Sequence, residues 1–202
     1  MSPKAGLDRA AVVQAAAKIA DTSGLERVTL TDVAAHLGVR TPSLYNHVAG
    51  LPGLRRDLAL LGTRELSARL SRATIGKSAD QAVFALAEAC RAFVMAHPGL
   101  YAATVRSVRL LDQPDPELEA AQRETVEIML AVLASYQLAD DAALHAVRGL
   151  RSVIHGFAAL EAAGGFGLPL DIDTSFRQLV QIYIAGLRAQ INAGKPAEIC
   201  SC

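Results

Sequence analysis

The sequence contains no tryptophan, only three cysteines in 202 residues, and aromatic side chains at just 4%. The cysteines form no framework. Cys90 sits inside an apolar helical pattern, and Cys200 and Cys202 close the chain. An odd, irregular set of this kind excludes a disulfide-stapled secreted domain. The terminal Cys-Ser-Cys is expected to belong to a disordered tail, residues 196–202. No apolar run approaches the roughly 18 residues that span a bilayer, so no membrane partner is expected. The opening MSPKAGLDRAAVV lacks the apolar stretch and small-residue cleavage site of a signal peptide, which makes the cytoplasm the expected location. Metalloprotease, nucleophile-elbow, phosphate-loop and Cys-x-x-Cys motifs are all missing, so neither catalysis nor a cofactor is expected. His36 and His47 lie eleven positions apart on different helices and read as surface residues rather than a metal pair. A helical enzyme or small-molecule carrier stays as the rival class, one that a pocket of strongly coupled titratable groups would favour.

Charge of one sign is also lacking overall, since 20 basic residues match 20 acidic ones. Their distribution is uneven. Residues 1–72 hold ten Lys and Arg against six Asp and Glu, a net +4 that leaves −4 for the remainder. A surface that meets a polyanion is therefore expected at the front of the chain.

What is abundant is helix-forming residues, with apolar positions recurring at three and four and hardly any β-branched alternation. The chain reads as all-α, with about nine helices. Asp8 caps a first helix to about Ser23, stopped by Gly24. Thr29 opens a second, in a capping-box-like Thr-Leu-Thr-Asp, that ends near Gly38. Thr41 as N-cap and Pro42 at the first helical position start a third, ending near Gly50. Further helices are expected from about Leu51, over Asp80–His97, a short one around Leu100–Leu110, then over Pro116–Tyr136, over Asp140–Ala163, and from a Thr174 cap to about Asn192. Residues 1–50 form the front domain and 51–195 a larger helical one.

The stretch LTDVAAHLGVRTPSLYNHVAG has the pattern of two short helices joined by a glycine turn, the helix-turn-helix. Val33, Ala34, Leu37, Val39, Leu44 and Val48 form its inside. Outside the second helix remain Thr41, Pro42, Ser43, Tyr45, Asn46 and His47, with Arg40 at the turn. Hydroxyl and amide groups suit base edges and phosphates, proline suits a thymine methyl, and the polar tips of Tyr and His reach phosphate oxygens. The N-terminus of that helix adds a partial positive charge and free N–H groups. Helix-turn-helix geometry also occurs in bundles that never meet DNA, and Tyr45 also fits a half-buried core position.

TLTDVAAHLGVRTPSLYNHVAG, following an amphipathic first helix, resembles the DNA-binding domain of the TetR family of transcriptional repressors. The likeness rests on Thr29, the VAAHLGV block and, above all, SLYNHV. It implies base contacts from Thr31, Thr41, Pro42, Ser43 and Asn46, and phosphate contacts from Thr29, Tyr45 and His47. Val48 replaces the family's usual Phe. Leu51 stands where a lysine often grips phosphate, a loss for which Arg55 or Arg56 is expected to compensate. AHPGLYAATV and IHGFAALEAAGGFG are similar to the C-terminal domain of a subgroup marked by Trp-His-Gly, with Ile154 in place of the Trp.

The resemblance implies a homodimer built on the last two long helices. Val147, Leu150, Ile154, Phe176, Leu179, Val180, Tyr183 and Leu187 are the expected interface, and Gly149 and Gly156 the expected points of close approach. An effector pocket is expected among Leu86, Cys90, Phe93, Tyr101, Val105, Met129, Leu133 and Phe157, with Arg106 and His155 as its polar groups. The function expected is a repressor released from a palindromic DNA site by a small, largely apolar effector. A same-fold activator, or a regulator insensitive to ligand, is the alternative.

Overall fold

The computed structural model describes residues 7–106, 114–138 and 140–194, with backbone alone for Arg106 and 191–194. Among the described residues the chain forms nine α-helices: α1 (Arg9–Ser23), α2 (Leu30–Leu37), α3 (Thr41–Leu44), α4 (Gly50–Thr74), α5 (Ala79–Ala96), α6 (Pro98–Arg106), α7 (Pro116–Leu133), α8 (Asp140–Ala162) and α9 (Ile172–Gly194). Single 3-10 turns at Leu25–Arg27 and Ala134–Tyr136 follow α1 and α7. No single described helix is long and apolar enough to cross a membrane.

The helices gather into two compact units. The first comprises the residues up to Leu66 together with Phe93–Arg123; the second, Ser67–Ala92 with the residues from Glu124 onward. Helix α1 centres the first unit. Its Val12, Val13, Ala16 and Ala20 are buried, and it packs on both α2 and α6. Asp8 accepts a hydrogen bond from Ala11 N at 2.7 Å, and Gly24 ends the helix by donating to Ala20 O. The core continues through Val28, Val33, Leu44, Leu54, Leu58 and Phe93, all fully buried.

In the second unit Leu86, Leu133, Leu150, Ile154, Phe176 and Val180 are almost completely buried. Arg91 ties α5 to the α8 end and the α9 start. It donates to both Glu161 carboxylate oxygens at 2.6 Å and to Asp173 at 2.8 Å, and it stacks 4.9 Å from the Phe176 ring centroid. Asp80 does the same between α5, the 134–136 turn and α9, accepting from the Tyr136 hydroxyl and from Arg188.

Several expectations need correction. Val147, Leu150, Ile154, Phe176, Val180 and Leu187 are buried within the single chain, so they form its own core and have no surface to offer a partner. Of the expected dimer residues, only Leu179 and Tyr183 stay half-exposed. Gly149 receives the chain's own Tyr183: a methyl there would lie 3.1 Å from the Tyr183 hydroxyl, which donates to Ala146 O. Gly156, in contrast, faces open space. The α9 cap is Asp171, not Thr174. Its carboxylate accepts from Thr174 N at 2.7 Å, and the Thr174 hydrogen bonds hold the Asp171 carboxyl below the usual range. Cys200, Cys202 and the expected helix beyond Arg106 lie outside the described residues.

Candidate nucleic-acid interface

Thr29 caps α2 in a reciprocal box. Its hydroxyl oxygen accepts from Asp32 N at 3.1 Å while its proton goes to the Asp32 carboxylate at 2.6 Å. Asp32 is placed favourably for the helix dipole, and its exposed carboxylate occupies the Thr29 hydroxyl. A phosphate contact from Thr29 must displace that bond. Thr31, next along, is exposed.

The turn is closed by Gly38 at φ 67°, ψ 30°, a left-handed conformation that glycine adopts without a Cβ penalty. Val39 N donates to Ala34 O and Gly38 N to Ala35 O, the paired pattern that satisfies the last carbonyls of α2. Ala34 is 2% exposed; a larger side chain there has no room in the module's core.

Helix α3 is shorter than expected, and its cap is Arg40 rather than Thr41. Pro42 therefore occupies the second helical position, where its missing N–H is still no loss. After Leu44 the chain continues only as turns, with His47 N and Val48 N both donating to Leu44 O. Tyr45, Asn46 and His47 are weak helix formers, and Gly50 at φ 67° resets the backbone for α4. Because α3 spans four residues, its dipole is small, and the expected help from a helix N-terminus shrinks with it.

Two anchors hold the segment: Leu44 is fully buried and Val48 nearly so. Around them Pro42, Tyr45 and Asn46 are exposed, and Thr41, Ser43 and His47 are half-exposed. Tyr45, at 61% exposure, is no core aromatic. One short segment thus brings all six expected side chains out to solvent, with Arg40 exposed immediately before it.

The arginines after Gly53 divide. Arg56 is not free for phosphate. It donates to both Asp115 oxygens, to Glu117 at 2.6 Å and to Asp57 at 3.3 Å, which raises its already high pKa. Arg9 reaches the same Asp57, and Arg64 the same Glu117. The cleft of about 370 Å³ beside this network is thereby charge-matched. Arg55 has a looser tie, 3.8 Å to Glu26, and its buried Nε has no hydrogen-bond partner among the described residues. Sequence reading missed the network because all its pairs but the adjacent Arg56–Asp57 lie 48 to 61 residues apart.

The expected pocket residues divide between the two units. Phe93 and Tyr101 are buried in the first, where Val105 is exposed; Leu86, Cys90, Met129 and Leu133 are buried in the second. His155 and Phe157 are half-buried, and the Arg106 side chain lies outside the described residues. Burial pushes the Cys90 thiol up to about 12, so it is a packed hydrophobe rather than a nucleophile. In the second unit a cavity of about 200 Å³ is lined by Phe157, Phe166, Leu168, Leu170 and Ile172. Of the expected set only Phe157 contributes to it.

Comparison with known proteins agrees with this architecture. Residues 83–183 match the tetracyclin repressor-like C-terminal domain family. The chain is 35% identical over 188 residues to YobS, an HTH-type transcriptional regulator of Bacillus subtilis, covering 93% of this chain and 96% of that protein. It is also 35% identical over 193 residues to the HTH-type transcriptional regulator Rv0681 of Mycobacterium tuberculosis, covering 96% and 87%. ActR of Streptomyces coelicolor, solved in complex with (S)-DNPA, superposes with a TM-score of 0.64 at 21% identity over 93% of this chain and all of that one. With its helix-turn-helix at the front and this match behind it, the chain belongs to the TetR family of helix-turn-helix transcriptional regulators.

Proposed function

We propose that the chain is a repressor that reads double-stranded DNA as a homodimer and leaves its operator when a small, largely apolar effector binds. The observation that carries this reading is the Thr41–His47 segment, whose polar side chains are turned outward because Leu44 and Val48 anchor it inward. Thr31, Thr41, Pro42, Ser43 and Asn46 contact base edges. Thr29, Arg40, Tyr45, His47 and Arg55 contact phosphates. Residues 1–50 carry the reading and 51–195 the effector and the dimer contact.

The dimer face is the outer side of α8 and α9. There Leu160 and Ile182 are 53% and 70% exposed, and Gly156 and Gly186 have nothing packed on them. Leu179 and Tyr183 flank it, half-exposed. The effector is small and apolar. The 200 Å³ cavity beside Phe157 supports this, being lined by apolar side chains and below the roughly 300–1,000 Å³ of common ligand pockets, and the complex of ActR with (S)-DNPA supports a response to ligand.

Mobility-shift assays with duplex fragments from around the gene test the reading. The expected result is saturable binding to a two-fold site, abolished in Tyr45→Ala and His47→Ala chains that remain folded. Binding that is unsaturable, or unchanged in both variants, overturns it.

A further inference from the structure

His97-Pro98-Gly99-Leu100 opens α6, and nothing in the proposed DNA contacts uses it. The first N–H groups of a helix need acceptors, and the residue just before the helix ordinarily supplies one. Here the acceptor comes from elsewhere in the fold. Asp21, in the last turn of α1, accepts from Leu100 N at 2.8 Å through one carboxylate oxygen. Its other oxygen lies 2.9 Å from His97 Nδ1. A carboxylate in the last turn of a helix works against that helix's own dipole, so Asp21 is poorly placed for α1 and well placed for α6.

The backbones of the two ends are closely joined. A methyl on Gly99 would sit 2.0 Å from Ala20 O, which only glycine avoids. Along another face of α6, a methyl on Gly62 of α4 would lie 2.9 Å from Leu100 O and 2.8 Å from the Thr104 methyl. Helix α6 therefore packs tightly on both α1 and α4. The first of these carries α2, and the second continues directly from the Thr41–His47 segment.

We propose that Asp21 and His97 are positioning residues for DNA reading: their clasp on the α6 N-terminus fixes the angle of α1, and so fixes how far apart the two reading segments of a dimer stand. This rests on the DNA-reading function proposed above. A palindromic site is matched only when the protein's half-site separation equals that of the DNA, so a loosened α1 blurs spacing before it weakens any single contact.

The test uses the full chain and a duplex that wild type selects from a random pool, together with versions whose half-sites are moved by one and two base pairs. Asp21→Ala is expected to lose about tenfold in affinity at the selected spacing, about 1.4 kcal/mol, while losing little at the shifted spacings. Asp21→Asn keeps an oxygen for Leu100 N and is expected to restore wild-type discrimination. A merely structural role weakens all spacings equally. That result, or undiminished discrimination in a folded Asp21→Ala chain, overturns the proposal. If Asp21→Ala does not fold, His97→Ala is measured at the same spacings: a loss confined to the selected spacing supports the clasp, and an equal loss at all of them overturns it. A wild type that selects no duplex at all removes the proposed DNA reading itself, and the clasp's role with it.

Discussion

Leu51 is an apolar side chain at the start of α4, next to the proposed reading segment, where a cation would add a phosphate contact. Arg56 offers no substitute, because three carboxylates already hold it. Leu51→Lys is therefore expected to tighten DNA binding and to steepen the plot of log affinity against log salt by about one unit per reading head. Arg56→Ala should leave that slope alone and lower stability instead, read by thermal melting. The network also fixes an acid limb. Arg56 holds the Asp115 carboxyl down to about 2, so the unfolded chain takes up its proton first. The stabilisation is present in full above pH about 4 and is lost as pH falls toward 2. Acid titration of Asp115→Asn, followed by circular dichroism, should show a flatter fall across that window. Residues with a local partner, such as Asp8, Thr29 and Gly38, were legible in the sequence because each acts within four positions of itself. Asp21, Asp57, Arg56 and Arg91 were not, since their partners are set by tertiary packing.

Helix existence was likewise legible, and helix faces were not. The apolar stripes of α8 and α9 are real, but the chain's own core takes Leu150, Ile154, Phe176 and Val180 and leaves Leu160 and Ile182 exposed. Periodicity reports that a face is apolar, not what covers it. The burial pattern makes a contrast available. Ile182→Glu should give a folded monomer in sedimentation, whereas Val180→Glu should not fold, because it places a charge in a fully buried site. The 134–136 turn holds a different kind of strain. Gln137 lies at φ 51°, ψ 33°, where a side chain is disfavoured by about 1–2 kcal/mol. Gln137→Gly relieves that but adds unfolded-state freedom, so a net gain below about 1 kcal/mol and a melting rise of less than about 4 °C are expected by calorimetry.

At the scale of the whole molecule, a chain of zero formal charge binds a polyanion only through its local arrangement, and the net +4 of residues 1–72 supplies one. Part of that excess is neutralised internally, since Arg9, Arg56 and Arg64 answer Asp57, Asp115 and Glu117. The salt dependence should accordingly be shallower than a count of arginines implies. Two Thr41–His47 segments entering successive major grooves of one duplex would leave a distinctive mark in hydroxyl-radical footprinting on a wild-type-selected duplex. The expected pattern is two protected patches related by a two-fold, centred about 10–10.5 base pairs or a multiple apart, both lost in His47→Ala. A single patch, continuous protection, or a footprint unchanged in His47→Ala would contradict it.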